Sequence, residues 1–217
     1  MRYASAPTGW GMKATVMPEL TVYAAVLAGG RSTRMGQDKR FLELSGEPLV
    51  DRALRLATAA IGGDSACVLL CGTVPGRNSL PDVVAGIGPL GGLLTAVEHV
   101  HSKAAGKVAW LLVLPVDMPL LDAQTLHTLV TAIADDDNQG GATAAISYVE
   151  HEMPFVLRID PRTYAALLDT IGNNQSSMRS VREFQRRVGV RHLTCATEPS
   201  HQLMNVNRPQ EWASVRR

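Results

Sequence analysis

Apolar positions along the chain follow two alternating patterns. Unbroken apolar runs at residues 22–28, 67–71 and 108–114 predict buried strands, because a strand covered on both faces has no need of polar alternation. Between these runs the spacing changes to three and four residues. Leu49, Val50, Ala53, Leu54, Ala57, Ala60 and Ile61 trace one such stripe, and Leu90, Leu93, Leu94, Val97 and Val100 trace another. That period belongs to helices burying one face. Pro48 and Gly62-Gly63 bracket the first helix, and Gly88-Pro89 precedes the second. Gly29-Gly30 ends the first strand abruptly, and residues 72–81 form a proline- and glycine-rich loop.

The third apolar run, at 108–114, is the strongest strand signal, and Pro115 and Pro119 are expected to stop its ladder there. Asp122 is a good N-cap for a helix carrying Leu126, Leu129, Val130 and Ile133, which ends in the polar loop 135–141. Strands follow at 143–149 and 155–159, helices at 163–171 and 180–188, a last strand at 190–195 and a terminal helix at 209–215. Arg179, Arg182, Arg186 and Arg187 are expected to share one helix. Alternating strands and helices with continuously apolar strands predict a mostly parallel sheet covered on both sides, a Rossmann-like three-layer α/β/α sandwich. Ligands in such sheets bind at the carboxyl ends of strands. The loops at 29–39, 72–92 and 115–119 therefore belong to one rim.

Composition narrows the function. At 217 residues the chain suits a single domain, expected over residues 21–217 behind a flexible leader at 1–20. A net charge of +1 without a dense Lys/Arg block argues against a nucleic-acid surface but leaves room for a small anionic ligand. No apolar run is long enough for a membrane span, and residues 1–20 lack the features of a secretory signal. Cys67, Cys71 and Cys195 show no CxxC arrangement, which points to a reducing, cytoplasmic setting.

The candidate chemistry sits on the rim. Gly29-Gly30 lets the backbone approach a ligand and present its N–H groups, and Arg31, Arg34 and Lys39 add charge to the same loop. Glycines alone would make a plain turn; with three cations the loop reads as an anion site. Lys39 is followed by Arg40 rather than Ser or Thr, and no GxGxxG follows the first strand, so neither a Walker A loop nor a dinucleotide fingerprint is present. Asp117 at the end of a central strand suits a hard cation bound together with phosphates, and by spacing alone it equally suits an Asx-turn. Asn205 and Asn207 alternate across an extended segment, as amides that read a hydrogen-bonding heterocycle would. The six histidines form no metal-ligand spacing.

Leu27-Ala28-Gly29-Gly30, continuing through Ser32, Arg34, Met35 and Gly36 to Asp38-Lys39, resembles the signature of the nucleotidyltransferases of molybdenum cofactor biosynthesis, and the MobA-like guanylyltransferase branch fits best. Gly88-Pro-Leu-Gly-Gly92, Val113-Leu-Pro-Val-Asp-Met-Pro119 and Asn205-Val-Asn207-Arg-Pro resemble that family's later motifs, in order. The resemblance implies a nucleotidyltransferase-type fold and transfer of GMP from GTP to Mo-molybdopterin, with Mg²⁺, or Mn²⁺ in its place, on Asp117. It implies catalysis by Lys39 and Asp117. Nucleotide contacts would come from Leu27, Ala28, Gly29, Gly30, Arg34, Lys39, Asp82, Gly88 and Asp117, and pterin contacts from Arg179, Asn205 and Asn207. Other cofactor-biosynthesis proteins and apo-molybdoenzymes are the implied partners. The Leu-Ala-Gly-Gly form marks guanine-using members, whereas cytidylyltransferases carry Leu-Ala-Ala-Gly. The family often has Asn where this chain has Cys71. A cytidylyltransferase, a sugar-phosphate nucleotidyltransferase and a non-catalytic cofactor carrier are the alternatives. A carrier would need neither Lys39 nor Asp117.

Overall fold

The computed structural model describes residues 21–29, 38–105, 107–138, 142–194 and 201–215. The leader, Gly30, Arg31, Arg34 and Cys195 lie outside them. One six-stranded sheet organises the rest, in the order β4 (Val68–Cys71), β1 (Thr21–Leu27), β5 (Ala109–Pro115), β7 (Phe155–Ile159), β6 (Ala145–Tyr148), β8 (Val190–Leu193). β1 pairs in parallel with both β4 and β5, and β8 with β6. β7 runs antiparallel to its two neighbours. A short turn joins β6 to β7, which only an antiparallel pair permits, whereas the parallel pairing of β1 with β4 and β5 needs crossovers through α1 (Leu49–Ala60) and α2 (Pro89–Ala104).

Although the strands are apolar throughout, alternate residues serve different cores. Ala24, Val26, Trp110, Leu112, Leu114, Ile146 and Val156 face one cluster with buried residues of α1 and α3 (Ala123–Asn138). Ala25, Leu27, Leu111, Val113, Phe155 and Leu157 face the other, covered by α2, α4 (Pro161–Ile171) and α5 (Val181–Val188). The three-layer sandwich is thus the consequence of period-two side chains on strands buried from both sides. Trp212 on α6 (Pro209–Val215) joins the first cluster and draws the C-terminal segment onto the sheet.

Several expected boundaries shift for local reasons. Asp64 caps a 3₁₀ turn at Ser65–Cys67, so β4 begins at Val68. Pro115 is the last paired residue of β5, opposite Leu27, rather than the residue that ends it. A proline needs only its carbonyl in a ladder's final position. Arg179 closes a 3₁₀ turn and Ser180 caps α5 through the Glu183 N–H, which leaves Arg179 off the helix of Arg182, Arg186 and Arg187. A hairpin of β2 (Glu43–Leu44) and β3 (Glu47–Pro48), turning at Ser45 (φ 54°) and Gly46 (φ 80°), has strands too short to register in any periodicity.

Candidate active site

The carboxyl ends of β1, β4 and β5 are knitted together by their backbones. The Ala28 N–H donates to Cys71 O at 2.8 Å, and the Val116 N–H to Leu27 O at 3.3 Å. Gly72, with φ of +104°, sits so close that a Cβ there would stand 2.8 Å from Gly29 N. Only glycine admits this approach.

Lys39 reaches the rim on a 3₁₀ turn, Lys39–Phe41, whose N-cap is Asp38. Its Nζ lies 2.6 Å from Asp117 Oδ2 and donates to Asn207 Oδ1 at 3.3 Å. The lysine and aspartate side chains are 17% and 15% exposed. Solvent screens a pair buried to that degree less than a surface pair. The backbone of Asp117 and of the residues after it is tied down as well. The Asp117 carbonyl accepts the Val206 N–H at 2.8 Å, and Arg52 on α1 donates to the carbonyls of Pro119 and Leu121 just beyond it. Val206 is buried, while Asn205 and Asn207 on either side of it are exposed, as their alternation predicted. Glu211 accepts the N–H groups of Asn207 and Arg208, which caps the turn into α6.

Asp82 forms the opposite end of the rim. The carboxylate sits among glycines: a Cβ at Gly29 would stand 3.3 Å from Oδ2, and one at Gly91 would stand 3.2 Å from it. Its Oδ1 is buried with no hydrogen-bond partner among the described residues, and burial pushes its pKa above the ordinary carboxylate range. Gly88, at φ 67°, starts α2 with Pro89 at its first position, and Thr95 ties that helix to the Asp82 loop by accepting the Val83 N–H. Cys71 is fully buried beside this aspartate, and desolvation with the Asp82 charge pushes its thiol up to about 12. It is a packing residue, not a nucleophile.

Leu27, Ala28, Gly29, Lys39, Asp82, Gly88 and Asp117 therefore share one rim, with Asn207 against Lys39. Arg179 is exposed, and Arg182 lines a cavity of about 250 Å³ with Met118, Asn205 and the turn at Glu150, His151, Glu152 and Met153. That cavity adjoins one of about 510 Å³ on the other side of the same turn, lined also by His192 and Arg186.

Among the described residues no three His, Cys, Asp or Glu side chains converge as a metal cage. A lone Asp117 suits Mg²⁺ that arrives on a triphosphate, since Mg²⁺ at such sites takes one or two carboxylates, phosphate oxygens and water.

Residues 24–190 match the family model described as the MobA-like NTP transferase domain. The chain belongs to that family. As a MobA-like NTP transferase it is a nucleotidyltransferase. It is 32% identical over 190 residues to the molybdenum cofactor guanylyltransferase of Xanthomonas euvesicatoria pv. vesicatoria, covering 88% of this chain and 92% of that one. To the protein of the same name from Rhizobium meliloti it is 31% identical over 200 residues, with 87% of each chain covered. The crystal structure of molybdopterin-guanine dinucleotide biosynthesis protein A from Archaeoglobus fulgidus superposes with a TM-score of 0.63 at 16% identity, covering 89% of this chain and 96% of that one. This last match shows the shared fold. In this MobA-like transferase, sequence reasoning missed Arg40 and Arg52, each of which donates to backbone carbonyls at the rim. It also missed the Glu150–Met153 turn, whose place beside Asn205 depends on long-range packing.

Proposed function

We propose that the chain transfers GMP from GTP to Mo-molybdopterin, releasing pyrophosphate and forming the molybdopterin guanine dinucleotide. The observation that carries the guanine reading is Asp82, a half-buried carboxylate beside Gly29 and the first-turn glycines of α2, whose Oδ1 has no hydrogen-bond partner among the described residues. Guanine presents N1–H and N2–H donors side by side, which a carboxylate accepts together. Cytosine presents one donor, its N4–H₂, beside acceptors at N3 and O2, so a carboxylate placed to accept two adjacent donors would face an acceptor. Gly29 leaves room for that contact, since a methyl there would press on Asp82 Oδ2. This supplies a physical reason for the Leu-Ala-Gly-Gly form.

Transfer is in line. A terminal phosphate oxygen of the pterin attacks the α-phosphorus, the bond from that phosphorus to the β-bridging oxygen breaks, and pyrophosphate departs. Such transfers require positioning and charge neutralisation more than proton transfer. Lys39 neutralises phosphate charge, the Gly29 backbone supplies an N–H donor, and Asn205 and Asn207 orient the pterin. Held on Asp117, Mg²⁺ would supply further neutralisation of the phosphate oxygens.

The test is a transfer assay with radiolabelled GTP or CTP, with and without Mo-molybdopterin. Labelled guanine dinucleotide formed only with the pterin is the expected result. Preferential use of CTP, or label appearing on a sugar phosphate, overturns the assignment. Lys39→Ala and Asp117→Ala are each expected to lower turnover by about 10²–10³-fold; near-normal turnover in either folded variant would remove it from the site.

A further inference from the structure

Arg40 follows Lys39 directly yet turns the other way. Its side chain is 15% exposed. Nη1 donates to the carbonyl of Thr73 at 2.7 Å and to that of Ala28 at 3.3 Å. Nε lies 2.8 and 3.0 Å from the two oxygens of Asp38, and Nη2 donates to Oδ2 as well. Asp38 in turn caps the turn by accepting the Arg40 N–H at 3.1 Å. The guanidinium holds the Asp38 carboxyl below its usual range. One planar side chain thus joins the end of β1, the loop leaving β4 and the turn that carries Lys39.

We propose that Arg40 is a positioning residue that sets the direction of the Ala28–Gly29 peptide, and so of the N–H offered to the nucleotide's phosphates. In a trans peptide the carbonyl and the following N–H point in opposite directions. With the Ala28 carbonyl held toward Arg40, the Gly29 N–H points away from it. The restraint matters because glycine, which permits close approach of a ligand, also lets the peptide preceding it rotate at little steric cost. A rotated peptide would present a carbonyl oxygen to phosphate in place of a donor. Cys71 O grips the Ala28 N–H of the preceding peptide, so the Ala28–Gly29 peptide itself is held at its carbonyl by Arg40. Lysine could reach one carbonyl but lacks the planar fork that spans Asp38 and the carbonyls together.

This inference rests on the nucleotide reading above, and its test separates the two. Affinities for Mg²⁺–GTP and for guanosine would be measured by titration calorimetry and competition in the wild type, Arg40→Lys and Arg40→Ala, with circular dichroism and melting temperatures recorded alongside. Loss of one charge-assisted phosphate contact corresponds to about 10–100-fold weaker GTP binding in Arg40→Ala. Guanosine, which has no phosphate, should bind within about twofold of wild type. Arg40→Lys should fall between wild type and Arg40→Ala for GTP, and it carries the comparison if Arg40→Ala does not fold. Unchanged GTP affinity in the variants overturns the proposal, as does an equal loss for GTP and guanosine, which would mark Arg40 as a general structural brace. A wild-type protein that binds no GTP overturns the function proposed above and this role with it.

Discussion

At the scale of single residues, Lys39 and Asp117 each occupy the place of the other's proposed partner. The ammonium lies 2.6 Å from the carboxylate on which the cation would sit. Removing it should strengthen cation binding to the nucleotide-free protein. Lys39→Met is expected to raise Mn²⁺ affinity about tenfold, the scale of a lost charge–charge term in a partly solvated site, while turnover collapses. Counting free Mn²⁺ by electron paramagnetic resonance would show this, and an unchanged affinity would argue that Asp117 is not the metal ligand. Asp82 makes a second prediction through its raised pKa. Because the folded value lies above the ordinary 3.8, ionisation costs folding free energy as pH rises through the interval between them. That cost is complete above the folded value and absent below 3.8. Asp82→Asn should therefore melt higher at pH 7, with the gain shrinking toward pH 3.8. The same variant should lose its preference for GTP over CTP. A lower melting point at pH 7 would sink the account. Lys39 and Asp117 were legible as candidates because motifs mark them, and Asp82 only through the family resemblance. Arg40 was not, because the acceptors that tie it to the rim, beyond its neighbour Asp38, are backbone carbonyls 12 and 33 residues away, which leave no trace in residue type.

At the scale of elements, α2 shows how packing overrules local preference. Replacing a helical glycine by alanine ordinarily gains about 1 kcal/mol. At Gly91 the new Cβ would lie 2.5 Å from Val84 O and 3.2 Å from Asp82 Oδ2, so the helix could keep its place only by pushing the Asp82 loop outward. Gly91→Ala is expected to destabilise by about 1–3 kcal/mol, the usual cost of overpacking, and to weaken GTP binding at the same time. Chemical denaturation would check the first effect; a gain in stability would show that the loop yields freely. The long elements were readable because their patterns repeat over many residues. The β2–β3 hairpin was not, since two-residue strands have no period. Pro115 misled for a different reason: its ring forbids donation, but the terminal ladder position opposite Leu27 asks only for proximity.

At the scale of the molecule, the site is assembled from distant stretches of chain. Lys39 comes from the first crossover, Asp117 from the end of the central strand, and Asn207 from the C-terminal segment, which Leu203, Val206 and Trp212 anchor in the same core as α1 and α3. The sequence placed the first two on one rim through the rule for parallel sheets. It offered only family resemblance for the asparagines, because their return depends on apolar anchors spaced too irregularly to form a pattern. The assembled arrangement has a thermodynamic consequence. If Mg²⁺ sits on Asp117 and phosphate on Lys39, each ligand must break the same ion pair, and whichever binds first leaves the second less to break. Mg²⁺ alone should then stabilise the protein little, GTP alone somewhat, and the two together by more than their sum. At a hundredfold excess over its dissociation constant a ligand adds about 2.7 kcal/mol. For a chain of this size that corresponds to a melting shift of about 5–10 °C. In Lys39→Met the shared ion pair is gone, so the excess over additivity should shrink to the part that comes from Mg²⁺ bound directly to the triphosphate, even where some GTP affinity survives. Melting curves of both proteins across a grid of Mg²⁺ and GTP concentrations would measure the coupling. Additive shifts in the wild type would mean that the 2.6 Å contact does not have to open for the nucleotide to bind.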